Sequence, residues 1–329
     1  MRTLKELQIL LGPLMRFRGL VFLLFLCSLT GALIACSSQS SRPSRFPVSI
    51  FDEHPFHFGC TDRPSPLPPG THGLVTISPL APYARTRLET LNLPLNEVPA
   101  LTIAAEPVEW IQIAGANQDH WTAQFCAMGE GNTIDEANSY LRSVSMQRTG
   151  SLLTLGNTDA HGLTGGRGNL LLTAPADAPV TVHSDAAVEV HDMAGQVRVS
   201  ALGRATILNT TGRVDAWAGA VDYAGSQGSV FLNASWEINF KITATNFRGT
   251  LAANAQRQVN AYFPPGFQTP VEVLVNRPKD FVCHADFCSK IKEDRVNGLY
   301  RFTYGNAEGA SDHIGMRSWD AQVVLDTTR

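Results

Sequence analysis

The sequence predicts an all-β chain: a single-stranded β-solenoid advancing about 8–9 residues per strand, preceded by a small α+β unit with one helix. Three observations predict it. Short segments with alternating apolar residues begin at Val180, Val188, Val197, Ala205, Val214, Val221, Val230 and Ile238, seven to nine residues apart. A short fixed period marks stacked repeats, each exposing an apolar row that only its neighbour covers. Gly195, Gly203, Gly212, Gly219 and Gly228 stand just before the next segment, where a tight turn draws on glycine's access to positive φ. Upstream, partly alternating segments surround a single capped helical stretch.

The first element is a leader. Arg16 and Arg18 precede sixteen uncharged residues, "LVFLLFLCSLTGALIA", from Leu20 to Ala35. That run falls short of the roughly 20 apolar residues of a membrane span, and its basic start and small-residue end suit a secretory signal over residues 1–35. Either Met1 or Met15 can open it, since Met15 begins a complete signal of its own. Leu33-Ile34-Ala35-Cys36 resembles the lipobox of bacterial lipoproteins. The resemblance implies cleavage between Ala35 and Cys36, and acyl chains on the Cys36 thiol and amine. Several chains at one terminus anchor stably, because each buried CH2 contributes about 0.8 kcal/mol. Ser37 after the cysteine, by analogy with proteobacterial sorting, points to the outer membrane. The competing reading is an uncleaved signal anchor with an incidental cysteine.

Removing residues 1–35 takes away Arg2, Lys5, Arg16, Arg18 and Glu6. The full chain has 26 Lys and Arg against 29 Asp and Glu, so the mature chain carries 22 against 28, a net charge of −6. A nucleic-acid surface would be basic, so nucleic acid is not an expected partner. Cys27 leaves with the signal and Cys36 takes lipid. Cys60, Cys126, Cys283 and Cys288 remain, an even set that implies disulfides in an exported chain, with three pairings open. Proximity along the chain favours Cys60–Cys126 and Cys283–Cys288.

After the lipid site, residues 36–48 read as a serine- and proline-rich tether. Residues 49–98 read as an irregular preface, with four prolines between Cys60 and His72. Residues 99–178 read as the small unit. It has strands at "ALTIAA", "WIQIAG", "HWTAQFCA" and "GSLLTLG", and a helix in "NTIDEANSYLRSV". There Thr133 and Glu136 form a capping box, and Ala137, Tyr140, Leu141 and Val144 share one face. Residues 179–329 read as the solenoid, closed by strands at "GLYRFTYG" and "AQVVLD".

Chemistry is sparse in this pattern. His54, His57 and Cys60 have metal-ligand types, but Pro55 breaks any helix that would align them. Cys283, His284, Asp286 and Cys288, with His313 as an added ligand, could form a metal clip; a disulfide-closed loop is the simpler reading. "HGLTGGRGN" lacks the Gly-Lys-Ser/Thr ending of a phosphate loop and reads as a turn. Asp185, Asp192, Asp215 and Asp222 recur along the array. They invite comparison with polysaccharide-cleaving β-helices, yet aspartate is common at turns. No catalytic residue, cofactor or metal is expected. Trp217, Tyr223, Trp236, Phe240, Tyr262 and Phe263 are the aromatics of the array. Trp217 and Trp236, nineteen residues apart and so about two steps, could neighbour one another on a face. Together with Tyr223 they form the candidate binding surface, against the alternative that they only pack between coils.

The strand "ALTIAAEPVEWIQIAG", the helix, "GSLLTLG" and the ladder from "VTVHSDAAVEV" to "VDAWAG" resemble the candidate-adhesin domains of bacterial envelope proteins over about residues 99–329. This resemblance implies a short-strand β-solenoid, often on lipoproteins. The expected role is then a non-catalytic binding surface on a cell-envelope lipoprotein. Its partners would be the membrane through Cys36 and an unidentified protein or glycan. The runner-up is a periplasm-facing scaffold or stress-sensing accessory, and the third reading is a polysaccharide-active enzyme.

Overall fold

The computed structural model describes residue 60 and residues 82–106, 108–157, 166–307 and 309–328. The expected signal, Ala35, Cys36, the tether, His54 and His57 lie outside the described residues, as does most of the "HGLTGGRGN" loop. All described residues belong to one compact unit, His54–Arg329.

The chain is mostly β with one α-helix among the described residues. Its early elements are β1 (Tyr83–Pro94), β2 (Leu101–Glu106), β3 (Trp110–Ala116), β4 (His120–Gly131), helix α1 (Ile134–Ser143), β5 (Val144–Thr149), β6 (Leu152–Asn157) and β7 (Gly166–Pro175). The short regular strands follow: β8 (Val180–Ser184), β9 (Ala187–His191), β10 (Val197–Ala201) and β11 (Arg204–Leu208). Next come β12 (Arg213–Gly225), β13 (Gln227–Ile242), β14 (Arg248–Ala255), β15 (Gln258–Phe263), β16 (Val271–Val275) and β17 (Phe281–Cys283). The last are β18 (Lys292–Val296), β19 (Leu299–Tyr304), β20 (His313–Ser318) and β21 (Val323–Thr327).

Along the regular part, successive short strands alternate between two parallel ladders. In the first, β8 pairs with β10 and β10 with the start of β12, which puts Val180, Val197 and Val214 in one row. In the second, β9 pairs with β11 and β11 with the end of β12, aligning Val188, Ala205 and Val221. The two halves of β13 continue both ladders. From there β14 and β20 extend the first, and β15 and β21 the second. This corrects the single-strand repeat: partners lie two steps apart, seventeen residues from Val180 to Val197. A segment of five alternating residues buries one face only, and successive segments fall on alternate ladders. Because β12 and β13 run through both ladders, the 21 strands form one connected sheet.

The same ladders extend upstream of residue 179. Strand β2 pairs in parallel with β8, and β3 with β9. One buried apolar cluster runs from Leu93 to Leu325, so packing shows no break at the expected boundary between residues 178 and 179. The excursion from β4 to β7 adds antiparallel pairs, β4 with β7 and β5 with β6. The preface reading also needs correction over residues 83–94. Strand β1 is regular there, because it pairs antiparallel with β4 along all twelve residues, from Tyr83 opposite Gly131 to Pro94 opposite His120.

Helix α1 begins at Thr133, whose Oγ1 accepts from the Glu136 backbone N–H at 3.1 Å. The Glu136 carboxylate reaches one residue further back than a capping box does, accepting from the Asn132 N–H at 2.8 Å. Gly129 of β4 lets the helix approach: a Cβ there would strike the backbone of Ala137 and Leu141. Cys126 of β4 is disulfide-bonded to Cys60, and Cys283 to Cys288.

The array's glycines have a different cause from the one the sequence suggests. Among Gly195, Gly203, Gly212, Gly219 and Gly228, only Gly228 has a φ in the left-handed region, +131°. A Cβ on Gly212 would run into the carbonyl oxygens of Ala194 and Gly195, and one on Gly195 into those of Asp177 and Ala178. These glycines stack on the previous pass of the chain. Close backbone approach, rather than turning, selects them.

Candidate functional site

Inward residues of both ladders are mostly Val, Ile, Leu, Ala and Phe. Large side chains left outside therefore stand out, since an exposed apolar cluster is more informative than a buried one. Trp217 is 51% exposed, Trp236 63% and Trp319 46%. Trp217 points out of the first ladder because Ala216 and Ala218 on either side point in. Its ring lies 5.6 Å from that of Phe231, and its Nε1 donates to Asp215 Oδ1 at 3.2 Å.

Trp236 reaches the surface by a bulge. The register of β12 and β13 shifts between Ala218 and Ala220, so Ser235 and Trp236 together oppose Gly219. The extra residue turns the side chain out at the corner between the ladders. Later passes cross the same corner. The Arg257 N–H donates to the Trp236 carbonyl at 3.1 Å, and the Trp319 N–H to the Ala255 carbonyl at 3.3 Å. Leu202, 81% exposed, marks an earlier pass, next to Gly203, whose carbonyl accepts from the Gly219 N–H. Arginines lie against two of the indoles: Arg257 is 5.7 Å from the Trp236 ring and Arg317 is 3.4 Å from the Trp319 ring.

Beside Trp319 lies an open depression of about 400 Å³, lined by Asn233, Ala255, Gln256, Trp319 and Asp320. Asn233 is the register partner of Trp217, Asn254 of Asn233, and Arg317 of Asn254. One outward row thus runs from Trp217 to the foot of Trp319.

Of the three residues the sequence suggests as a binding surface, Trp217 and Trp236 are exposed and Tyr223 is not. Tyr223 is 0% exposed and points into the core from the second ladder, because Val221 and Tyr223 share the inward phase of β12. Burial pushes its hydroxyl pKa far above the ordinary tyrosine value. Leu202, Asn233, Gln256, Trp319 and Asp320 were missed. Trp319 is separated from Trp236 by the β16–β19 excursion, which breaks the period that would have aligned them.

The aspartates do not gather in a groove. Asp192 occupies a turn with φ +56° after β9. Asp215 faces out of the first ladder, 3.7 Å from Arg198. Asp222 is buried in the second, where Arg204 Nη1 donates to it at 2.5 Å and Asn239 Nδ2 at 2.9 Å. Asn260 Nδ2 continues the chain to Asn239 Oδ1 at 2.7 Å. Burial opposes the Arg204 charge, but its bonds to Asp222 and Glu237 outweigh that and hold its pKa above the usual value. Arg204 bridges the two carboxylates and the Asn239 and Asn260 amides extend the bonding across the ladder, which makes it a structural spine.

The His284 N–H donates to the Leu325 carbonyl at 2.7 Å in the second ladder, while His313 begins β20 in the first. No three His, Cys, Asp or Glu side chains converge as a metal would require, among the described residues. No described helix is long and apolar enough to cross a membrane.

No protein-family model matches the chain, and no curated protein matches it in sequence. Solved structures align over 74% of it. They include a candidate cell-adhesion protein from Clostridium sporogenes, at 8% identity over 99% of that chain with a TM-score of 0.32. A candidate adhesin from Bacteroides fragilis aligns at 10% identity over 97% of that chain with a TM-score of 0.33. Another from Parabacteroides distasonis aligns at 10% identity over 97% of that chain with a TM-score of 0.24. At scores this low the likeness decides neither fold nor function.

Proposed function

We propose that this chain is a cell-envelope lipoprotein whose ladders wind as a β-solenoid of two strands per turn, and that it acts by presenting an adhesin-like, non-catalytic binding surface. The carrying observation is the corner itself: Leu202, Trp236 and Trp319 exposed on passes of one edge, with Trp217 beside them. Holding large apolar groups in water forgoes about 1.5–3 kcal/mol of burial for each, a cost that a recognition surface accounts for. The lipobox-like Leu33-Ile34-Ala35-Cys36 supports the envelope and, with Ser37, the outer membrane.

The test is protease shaving of intact cells expressing the full chain, with Cys36→Ser as control. Loss of the strand-rich domain from intact cells is the expected result, together with release of the Cys36→Ser protein from membranes. Survival until the outer membrane is opened would refute surface display and leave the periplasmic scaffold reading. A Cys36→Ser protein that still fractionates with membranes would refute the lipid anchor.

A further inference from the structure

We propose that the depression beside Trp319 is a subsite for one or two rings of a neutral pyranose sugar, an inference that rests on reading the tryptophan corner as a binding surface and gives that surface its ligand class. Arg317 lies 3.4 Å from the Trp319 ring, and the Trp319 backbone bonds to Ala255 and to the Asn276 side chain. The ring is therefore held in place while remaining 46% exposed and forming a wall of the depression. A fixed aromatic plane needs little further ordering when a ligand stacks on it. Arg317 covers one face of the indole, and the axial C–H face of a pyranose, which carries slight positive charge, complements the other.

The remaining walls supply what the sugar's hydroxyl edge requires. Each hydroxyl both donates and accepts, and carboxamides offer both functions in one plane. Asn233 and Gln256 line the depression, and neither side chain has a hydrogen-bond partner among the described residues. Asp320 adds a carboxylate acceptor. Size and charge narrow the class. The volume of about 400 Å³ sits near the lower end of the roughly 300–1,000 Å³ typical of small-ligand sites, which suits a sugar or two rather than a folded partner. Asp320 is the one ionised side chain in the lining, and the Arg317 guanidinium over the Trp319 ring offsets its charge, so the site carries no net charge to attract an ionised sugar. The apolar lining is one indole and Ala255, too little to anchor an apolar peptide side chain on its own.

The test applies the detergent-extracted full chain to an array of neutral, sialylated and sulfated glycans, followed by titration of the best neutral glycan against intrinsic tryptophan fluorescence. Retention by neutral glycans is expected. Trp319→Ala should abolish it, Asn233→Ala should weaken it roughly tenfold, the equivalent of one lost hydrogen bond, and Trp319→Phe should restore part of it. Arg295→Ala, in β18 and outside the lining of the depression, should bind as wild type. An array with no neutral ligand, binding confined to acidic glycans, or Trp319→Ala binding unchanged would each overturn the site. Protease shaving separates the two readings. A silent array with a shaved domain sinks the sugar site and leaves surface display. Neutral-glycan binding with a protected domain supports the site and sinks display.

Discussion

Asn239 shows how one residue is committed in this fold. Its amide is buried, donating to Asp222 Oδ1 and accepting from Asn260 Nδ2. Cross-strand amides of this kind are worth keeping only when every member is satisfied, because each orphaned buried group costs about 1–3 kcal/mol. Asn239→Ala orphans Asn260 Nδ2 and removes one of the two side-chain bonds that Asp222 accepts, the other coming from Arg204. The expected loss is about 2–4 kcal/mol in urea denaturation. A loss under 1 kcal/mol would show that water or rearranged side chains replace the spine. Surface residues behave differently: Trp217→Ala removes an exposed ring and should shift stability by less than about 1 kcal/mol, so it can probe binding without unfolding the chain.

At the scale of elements, what repeats is a strand, a corner and a return. The corner glycines set how closely passes stack. Gly212→Ala forces a methyl against the carbonyls of Ala194 and Gly195, both backbone and neither free to swing away. Such overpacking should cost about 1–3 kcal/mol or more, measured by thermal unfolding, whereas Gly150→Ala meets no atom within 4 Å and should cost less despite its positive φ. The disulfides give a second comparison. Cys60–Cys126 closes 66 residues and Cys283–Cys288 closes 5. Chain-entropy reasoning then gives about 4 kcal/mol for the first and about 2 for the second. Double Ser variants measured in urea should keep that order, and the reverse order would place the effect in the native state. Strand spacing and the cap at Thr133 were legible in the sequence because apolar alternation and Thr-x-x-Glu are local signals. The pairing of alternate steps was not, because it depends on how far the chain travels before returning. Strand β1 was hidden by the prolines beside it. Trp319 was hidden by the excursion that divides β15 from β20, although those two excursion-flanking passes lie on the same corner.

The whole molecule has one core, and this decides what can be cut away. Strands β8 and β9, which begin the regular array, hydrogen-bond on their upstream side to β2 and β3. Leu101, Ile103, Ile111 and Ile113 complete the inward rows that Val180, Val182, Val188 and Val190 continue. A fragment of residues 179–329 would keep every repeat that the sequence displays yet lose this first pass. Two parallel edges would then open at once, each presenting unpaired N–H and C=O groups beside an uncovered apolar row. Nearest-neighbour stacking makes the loss local at first, but an unpaired end frays and exposes the next row in turn. The fragment should therefore aggregate or show a much lower unfolding midpoint than residues 82–329, as read by size exclusion and circular dichroism. A soluble monomer with the midpoint of the longer chain would show that residues 99–178 are an independent unit after all. The same experiment bears on the tryptophan corner. Trp217, Trp236 and Trp319 all lie within 179–329, but their spacing is fixed by ladders whose first rows are upstream, so a frayed fragment should lose tryptophan-dependent binding along with its edge.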